Sequence, residues 1–316
     1  MSGVVTRRAF LAGAAAAAGT QGMGAAAPAP AAGRVAVFLA DLHVRAGDSY
    51  QKERLTRVID SILAMRPLPT NAVVFGDIAY QCGLPAEYAE SRPLLRRLAD
   101  AGIELSFGLG NHDRRRAFFE AWPECREQTL LPGHLVTRTD LGPVDLLMLD
   151  GLQGRDDRPA HDMGPVSGAL SIAHQEWLIA ELRRLKKPTF VASHYTIGNR
   201  FCLGEMDLFG RPLAETLMKF PLVIGYVHGH SHLWQPDWYH DGWGPNAREF
   251  RTASLPSTGH WGDIGYAVFT AQPGHAELRL VQDDYYFPSP RPEAERPRTW
   301  QSIVNEHRGR SVSWDW

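Results

Sequence analysis

Five short apolar runs each end in a residue able to hold a metal ion, and that recurrence constrains the fold more than any other feature. VAVFLA (35–40) runs into Asp41-Leu42-His43, and NAVVFGD (71–77) ends in Gly76-Asp77. IELSFGLG (103–110) runs into Asn111-His112-Asp113, and PTFVAS (188–193) into His194. PLVIGYV (221–227) is followed by HGHSH, residues 228 to 232, which holds three of the chain's 13 histidines. Short apolar runs bounded by turn residues read as buried strands. Between the first three lie RLTRVIDSILAM (54–65) and AEYAESRPLLRRLADAG (86–102), which carry helical spacing. Pro93 should kink or divide the second of these.

This βαβαβ order predicts parallel strands covered by helices. VDLLMLD (144–150) continues the set, and SIAHQEWLIAELRRL (171–185) predicts a helix capped by Ser171. After residue 233 the texture changes. DWYHDGWG, REFRTASLP and GYAVFTAQ are divided by Gly and Pro turns without helices, which predicts antiparallel strands in a second sheet. The body is expected over 33–283, with 284–316 as a C-terminal extension of unassigned role.

Residues 1–32 read differently. They hold no acidic residue, and Arg7 and Arg8 precede an apolar stretch from Ala9 to about Ala18. That stretch is too short to span a bilayer, which takes about 20 residues. The segment reads as a cleavable export signal. Thr6-Arg7-Arg8-Ala9-Phe10-Leu11 resembles a twin-arginine address, which implies the export machinery as a partner and a periplasmic or secreted protein without a membrane anchor. The net charge of -2 argues against nucleic acid as a general partner. Cys82, Cys125 and Cys202 form no C-x-x-C pair, so zinc-ribbon and thioredoxin-like chemistry is excluded; they read as structural thiols, with one disulfide and one leftover thiol as the alternative for an exported protein.

In open α/β sheets ligands sit outside the carboxyl ends of strands, so the five clusters should converge. Residues at i and i+2 of an extended chain project to one side, which pairs Asp41 with His43 and His230 with His232. Carboxylate with imidazole suits Zn, Mn or Fe better than Ca or Mg. Asp77 is the candidate bridge between two ions. No nucleophile elbow, P-loop or H-E-x-x-H motif occurs.

The order D-x-H, GD, GNHD, H, GHxH resembles the calcineurin-like metallophosphoesterase superfamily from about 35 to 270. The resemblance implies a mixed α/β, four-layer αββα sandwich of two β-sheets flanked by helices. It implies two divalent or mixed-valence transition-metal ions (Fe, Mn or Zn). One would lie on Asp41, His43, Asp77 and His232, the other on Asp77, Asn111, His194 and His230. The implied chemistry is in-line attack on a small phosphoester by a metal-bridging hydroxide. His112 would protonate the leaving group, with Asp113 orienting it, and His228 has no motif role. GDIAYQCGLPAEY (76–88), GLGNHDRRRAFFE (108–120) and ASLPSTGHW (253–261) are similar to the bacterial cyclic-nucleotide and glycerophosphodiester phosphodiesterase branch, where the loop of His260 approaches the substrate. Two departures stand out. His194-Tyr195-Thr196 replaces a His-Pro-Pro sequence. GDIAY (76–80) with VASH (191–194) also resembles the purple acid phosphatases, where the tyrosine binds iron and the first histidine is missing. A phosphodiesterase is the favoured expectation. A phosphomonoesterase, or a catalytically silent metal- or phosphate-binding protein, is the alternative.

Overall fold

The computed structural model describes residues 34–47, 49–152, 168–197, 207–208, 211–240, 249–260, 262, 264–282 and 310–316. The export segment, Cys202 and most of the C-terminal extension lie outside them. From its start the chain forms β1 (Val35–Leu39), α1 (Tyr50–Leu63), β2 (Asn71–Phe75), α2 (Pro85–Asp100) and β3 (Glu104–Gly108). It continues through α3 (Arg115–Ala121), α4 (Glu124–Gln128), β4 (Thr137–Asp140), β5 (Asp145–Met148), α5 (Ile172–Leu182) and β6 (Thr189–Ser193). Then come β7 (Asp207–Leu208), β8 (Arg211–Pro212), α6 (Leu213–Leu217), β9 (Val223–His228), β10 (Gln235–His240) and β11 (Glu249–Ser254). The last strands are β12 (Gly265–Gln272), β13 (His275–Gln282) and β14 (Ser311–Asp315).

Two six-stranded sheets result, ordered β14-β13-β12-β1-β2-β3 and β10-β11-β9-β6-β5-β4. β1, β2 and β3 run parallel, as do β5, β6 and β9. Alternation along each strand builds the layers. In β1, Val37 and Leu39 pack with Leu55, Ile59 and Ile62 of α1 and Leu95 of α2. Ala36 and Phe38 face the other way and meet Phe190, Ala192 and Val227 of the second sheet. On that sheet's far side Val191 and Tyr226 pack with Leu178 and Leu182 of α5 and Leu213 of α6. The layers are therefore helix, sheet, sheet, helix, as the resemblance implies. Phe38 sits between Phe75 and Phe269, with ring centres 5.1 and 5.2 Å away. Truncating such a ring costs about 3–5 kcal/mol.

The helix signals hold locally. Ser49 caps α1 by accepting from the Lys52 N–H at 3.4 Å, and Ser171 caps α5 by accepting from the His174 N–H at 3.2 Å. Of the two outcomes expected at Pro93, division does not occur: α2 is one helix through it. Two expectations change. GYAVFTAQ becomes β12 and pairs antiparallel with β1 in the first sheet; of the segments after residue 233, only β10 and β11 pair antiparallel in the second sheet, whose far edge holds a further antiparallel pair, β4 with β5. Alternation fixes a strand's two faces and leaves its partner open, which is why the sheet was misassigned. Ser311–Asp315, at the end of the extension, is β14, an edge strand paired to β13. Among the described residues no helix is long and apolar enough to cross a membrane.

Candidate metal centre

Asp41 and His43 follow β1, Asp77 follows β2, Asn111 follows β3, His194 follows β6, and His230 and His232 follow β9. Strand alternation does not pair them. Asp41, His43, Asp77, His230 and His232 all have left-handed backbones, with φ of 52°, 46°, 47°, 69° and 60°. Among the described residues they are the only non-glycine residues with positive φ. Each costs on the order of 1–3 kcal/mol and persists because the surroundings impose it. Here the imposing contacts are backbone ones. His43 N–H donates to the Asp77 carbonyl at 2.8 Å, and Val44 N–H to the Ile78 carbonyl at 2.9 Å. Glycine permits the loops to touch. A Cβ on Gly76 would stand 2.6 Å from the Gly110 nitrogen, and one on Gly110 would stand 2.2 Å from Asp77 Oδ1.

The turns gather two donor groups, Asp41, His43, Asp77 and His232, and Asp77, His194 and His230, with atoms of each group within 4.8 Å of one another. In the first, His43 Nε2 is 3.2 Å from His232 Nε2, and His232 Nε2 is 3.2 Å from Asp41 Oδ1. In the second, His194 Nε2 is 3.1 Å from His230 Nδ1. Asn111 completes it, its Oδ1 lying 2.8 Å from His230 Nδ1 and 3.0 Å from His194 Nε2. Asp77 joins the two through one atom. Its Oδ2 is 3.4 Å from His43 Nε2 and 3.4 Å from His194 Nε2.

The donor chemistry fits cations. His194 Nδ1 is 2.9 Å from the Phe75 carbonyl, and His43 Nδ1 is 3.2 Å from the Tyr80 carbonyl. A carbonyl only accepts, so Nδ1 carries the proton in both rings and Nε2 presents a lone pair. His194 Nε2 and Asn111 Oδ1 are then two acceptors 3.0 Å apart. They repel unless positive charge lies between them. Ligands about 2.0–2.1 Å from a tetrahedral ion are separated by roughly 3.3 Å, close to the spacings seen.

Charge agrees. Burial pushes His43 down to about 3 and lowers His194, so both are neutral at physiological pH. Burial acts to raise the Asp77 and Asp41 carboxyls, yet the surrounding imidazoles outweigh it and hold both below the ordinary range. Ionised carboxylate with neutral imidazole is the protonation state that metal binding requires.

The remaining expected residues take distinct places. His112 stands at the rim, its ring centre 4.7 Å from that of His43. Its Nδ1 is 2.8 Å from the Tyr80 carbonyl, which leaves Nε2 without that partner. Asp113 is not its orienting partner, a correction. That carboxylate is fully buried and accepts from the N–H groups of Gly110, Ile78 and Ala79 and from the Tyr88 hydroxyl. Tyr80, expected as a ligand only in a phosphatase-like site, contributes its carbonyl to His43 and His112. His260 lies beside the first group, its ring centre 4.5 Å from that of His43, with Nδ1 3.2 Å from the Tyr50 hydroxyl. Burial lowers it to about 4. His228 is buried, with Nδ1 2.9 Å from the Gly229 carbonyl. Tyr50 and Tyr88, both helical, escaped the sequence reading because nothing in helical spacing announces a hydroxyl aimed at a distant loop.

The family model described as calcineurin-like phosphoesterase matches residues 35–233. The chain belongs to that family. Calcineurin-like phosphoesterases use a binuclear metal centre, and the two donor groups sharing Asp77 could each hold a metal ion. Among solved structures, a purple acid phosphatase from yellow lupin (Lupinus luteus) seeds aligns with a TM-score of 0.57 at 11% identity, over 91% of this chain and 55% of the lupin chain. The chain thus spans about half the length of that enzyme. The structure of PhoD aligns with a TM-score of 0.50 at 14% identity, over 80% of this chain and 67% of PhoD. At such identities the likeness is one of fold. A search of curated proteins returns no match.

Proposed function

We propose that the protein is an exported phosphodiesterase with a binuclear transition-metal centre. The observation that carries the metal reading is the single oxygen of Asp77, placed equally from an imidazole of each donor group. Asp41, His43, Asp77 and His232 would hold one ion and Asp77, Asn111, His194 and His230 the other, and the pair would supply Lewis-acid neutralisation of phosphoryl charge.

The chain's own residues do the rest. The backbone carbonyls of Phe75 and Tyr80 fix the tautomers of His194 and His43. Tyr80's carbonyl also holds the Nδ1 proton of His112, which leaves Nε2 to protonate a departing alkoxide. His260, beside His43, is positioned to contact the ester substituent.

Preference for a diester rests on sequence resemblance in three loops, supported by one structural feature. His43 completes the first donor group without Tyr80, unlike the phosphatase pattern in which tyrosine takes that role. The test is turnover of a bis-aryl phosphate against a mono-aryl phosphate, with and without chelator. Faster, chelator-sensitive diester turnover is expected. Preference for the monoester would reverse the assignment, and turnover of neither would make the chain a silent binder.

Export is part of the same proposal. Replacing Arg7 and Arg8 by lysine should hold the precursor in the cytoplasm. Unchanged export of that variant would remove the twin-arginine reading.

A further inference from the structure

Two of the ligand loops, 76–80 after β2 and 109–113 after β3, are joined by a carboxylate that binds no metal in either donor group. Asp113 is fully buried. Its Oδ2 accepts from the N–H of Gly110 at 2.9 Å and of Ile78 at 3.3 Å. Its Oδ1 accepts from the N–H of Ala79 at 3.1 Å and from the Tyr88 hydroxyl at 3.0 Å. That hydroxyl in turn accepts from the Arg114 N–H at 2.9 Å. Tyr88 is itself fully buried, on α2. The helix therefore reaches into the joint between the loops with one hydroxyl, which donates to Asp113 and accepts from the residue after it.

The joint does not bear equally on the two donor groups. Asp41, His43 and Asp77 are tied to one another by backbone bonds that bypass Asp113: His43 N–H to the Asp77 carbonyl, Val44 N–H to the Ile78 carbonyl, and Tyr80 N–H to the Val44 carbonyl. Asn111 and His112 have no such ladder to Asp77. Their offset is set by the Asp113 joint, by the His112 N–H donating to Asp77 Oδ1 at 2.8 Å and by the His112 ring on the Tyr80 carbonyl. Only the second donor group contains a residue of the 109–113 loop.

We propose that Tyr88 and Asp113 are positioning residues that set the affinity of the second metal pocket, Asp77–Asn111–His194–His230, and leave that of the first nearly untouched. The inference rests on the binuclear reading above. Losing the Tyr88 hydroxyl takes one of four donors from Asp113 and strips the Arg114 N–H of this acceptor, so the loop carrying Asn111 relaxes against Asp77. Outer partners of metal ligands typically govern about 10–100-fold in affinity. Tyr88 acts through Asp113, which puts the expected effect near the lower end, about tenfold.

The experiment is calorimetric titration of Mn²⁺ into the chelator-stripped full chain, for the wild type and for Tyr88→Phe, which keeps the ring and its packing. The wild type should show two binding events. In Tyr88→Phe the first should stay within about threefold while the second weakens about tenfold or more. Leu95→Ala, which deletes a buried α2 side chain outside the network, separates positioning from mere loss of stability. It should lower the melting temperature and leave both affinities in place. The inference is overturned if Tyr88→Phe leaves both events unchanged, weakens both equally, or fails to fold, or if Leu95→Ala reproduces the selective loss. A wild type that binds fewer than two ions overturns the binuclear reading and this inference together, whereas two unshifted events in the variant overturn the inference alone.

Discussion

The backbone N–H of His112 donates to Oδ1 of Asp77 at 2.8 Å, so the shared ligand and the proposed proton donor are held by one bond. With Oδ1 occupied in this way, Oδ2 is left to face both imidazoles. The same contact carries the His112 ring to the rim of the centre without making it a ligand.

His112→Ala should therefore keep both ions and lose activity selectively. Esters with poor alkyl leaving groups should slow by about 10²–10⁴-fold, as expected for loss of general acid catalysis, and nitrophenyl esters should change little. The check is a plot of log rate against leaving-group pKa at verified metal content. A steeper slope in the variant is the expected result, and parallel slopes would make His112 a positioning residue only.

Gly110→Ala should damage the centre from the backbone side. The new Cβ would meet Asp77 Oδ1 at 2.2 Å and the Asp77 nitrogen at 2.6 Å. The nitrogen is backbone, and the carboxylate oxygen is held by the His112 N–H at 2.8 Å, so the loops must separate. Urea denaturation of the metal-free protein should show a loss of about 1–3 kcal/mol, the range of overpacking. Metal binding should weaken with it.

His174 predicts a pH dependence away from the metals. It is buried at 0% exposure beside Trp177 and His134. Burial pushes it down to about 4, and the charge of Asp150 is too weak an opposing pull. A depressed imidazole contributes stability that is present above its unfolded value of about 6.5 and is lost as pH falls through about 4. A downward step of a few kcal/mol is expected over that window. His174→Leu should flatten it in denaturant titrations of metal-free protein at several pH values. An unchanged step would assign the dependence to other groups.

Much of this architecture was legible because chemistry and burial coincide in the sequence. Asp41, Asp77, Asn111, His194 and the 230/232 pair end apolar runs, and parallel strands bring such ends to one edge. The local reason was not legible. The i, i+2 pairing of Asp41 with His43 comes from consecutive left-handed turns, a conformation that an Asp or His does not advertise. The sheet of β12 and the return of β14 were hidden as well, because their partners are set by pairing across more than 200 and more than 30 residues. Asp113 was assigned to the wrong neighbour for a related cause. Its position beside His112 suggests a side-chain bond, while its four donors come from three backbone N–H groups and a helical tyrosine 25 residues earlier.

The central claim is that two ions share Asp77. Elemental analysis of protein purified without chelator, and again after reconstitution with Mn, Zn or Fe, tests it most directly, with Asp77→Ala measured alongside. The account predicts close to two ions per chain for the wild type and loss of both in the variant. A wild-type ceiling of one ion, or an Asp77→Ala protein that still holds two, would contradict it.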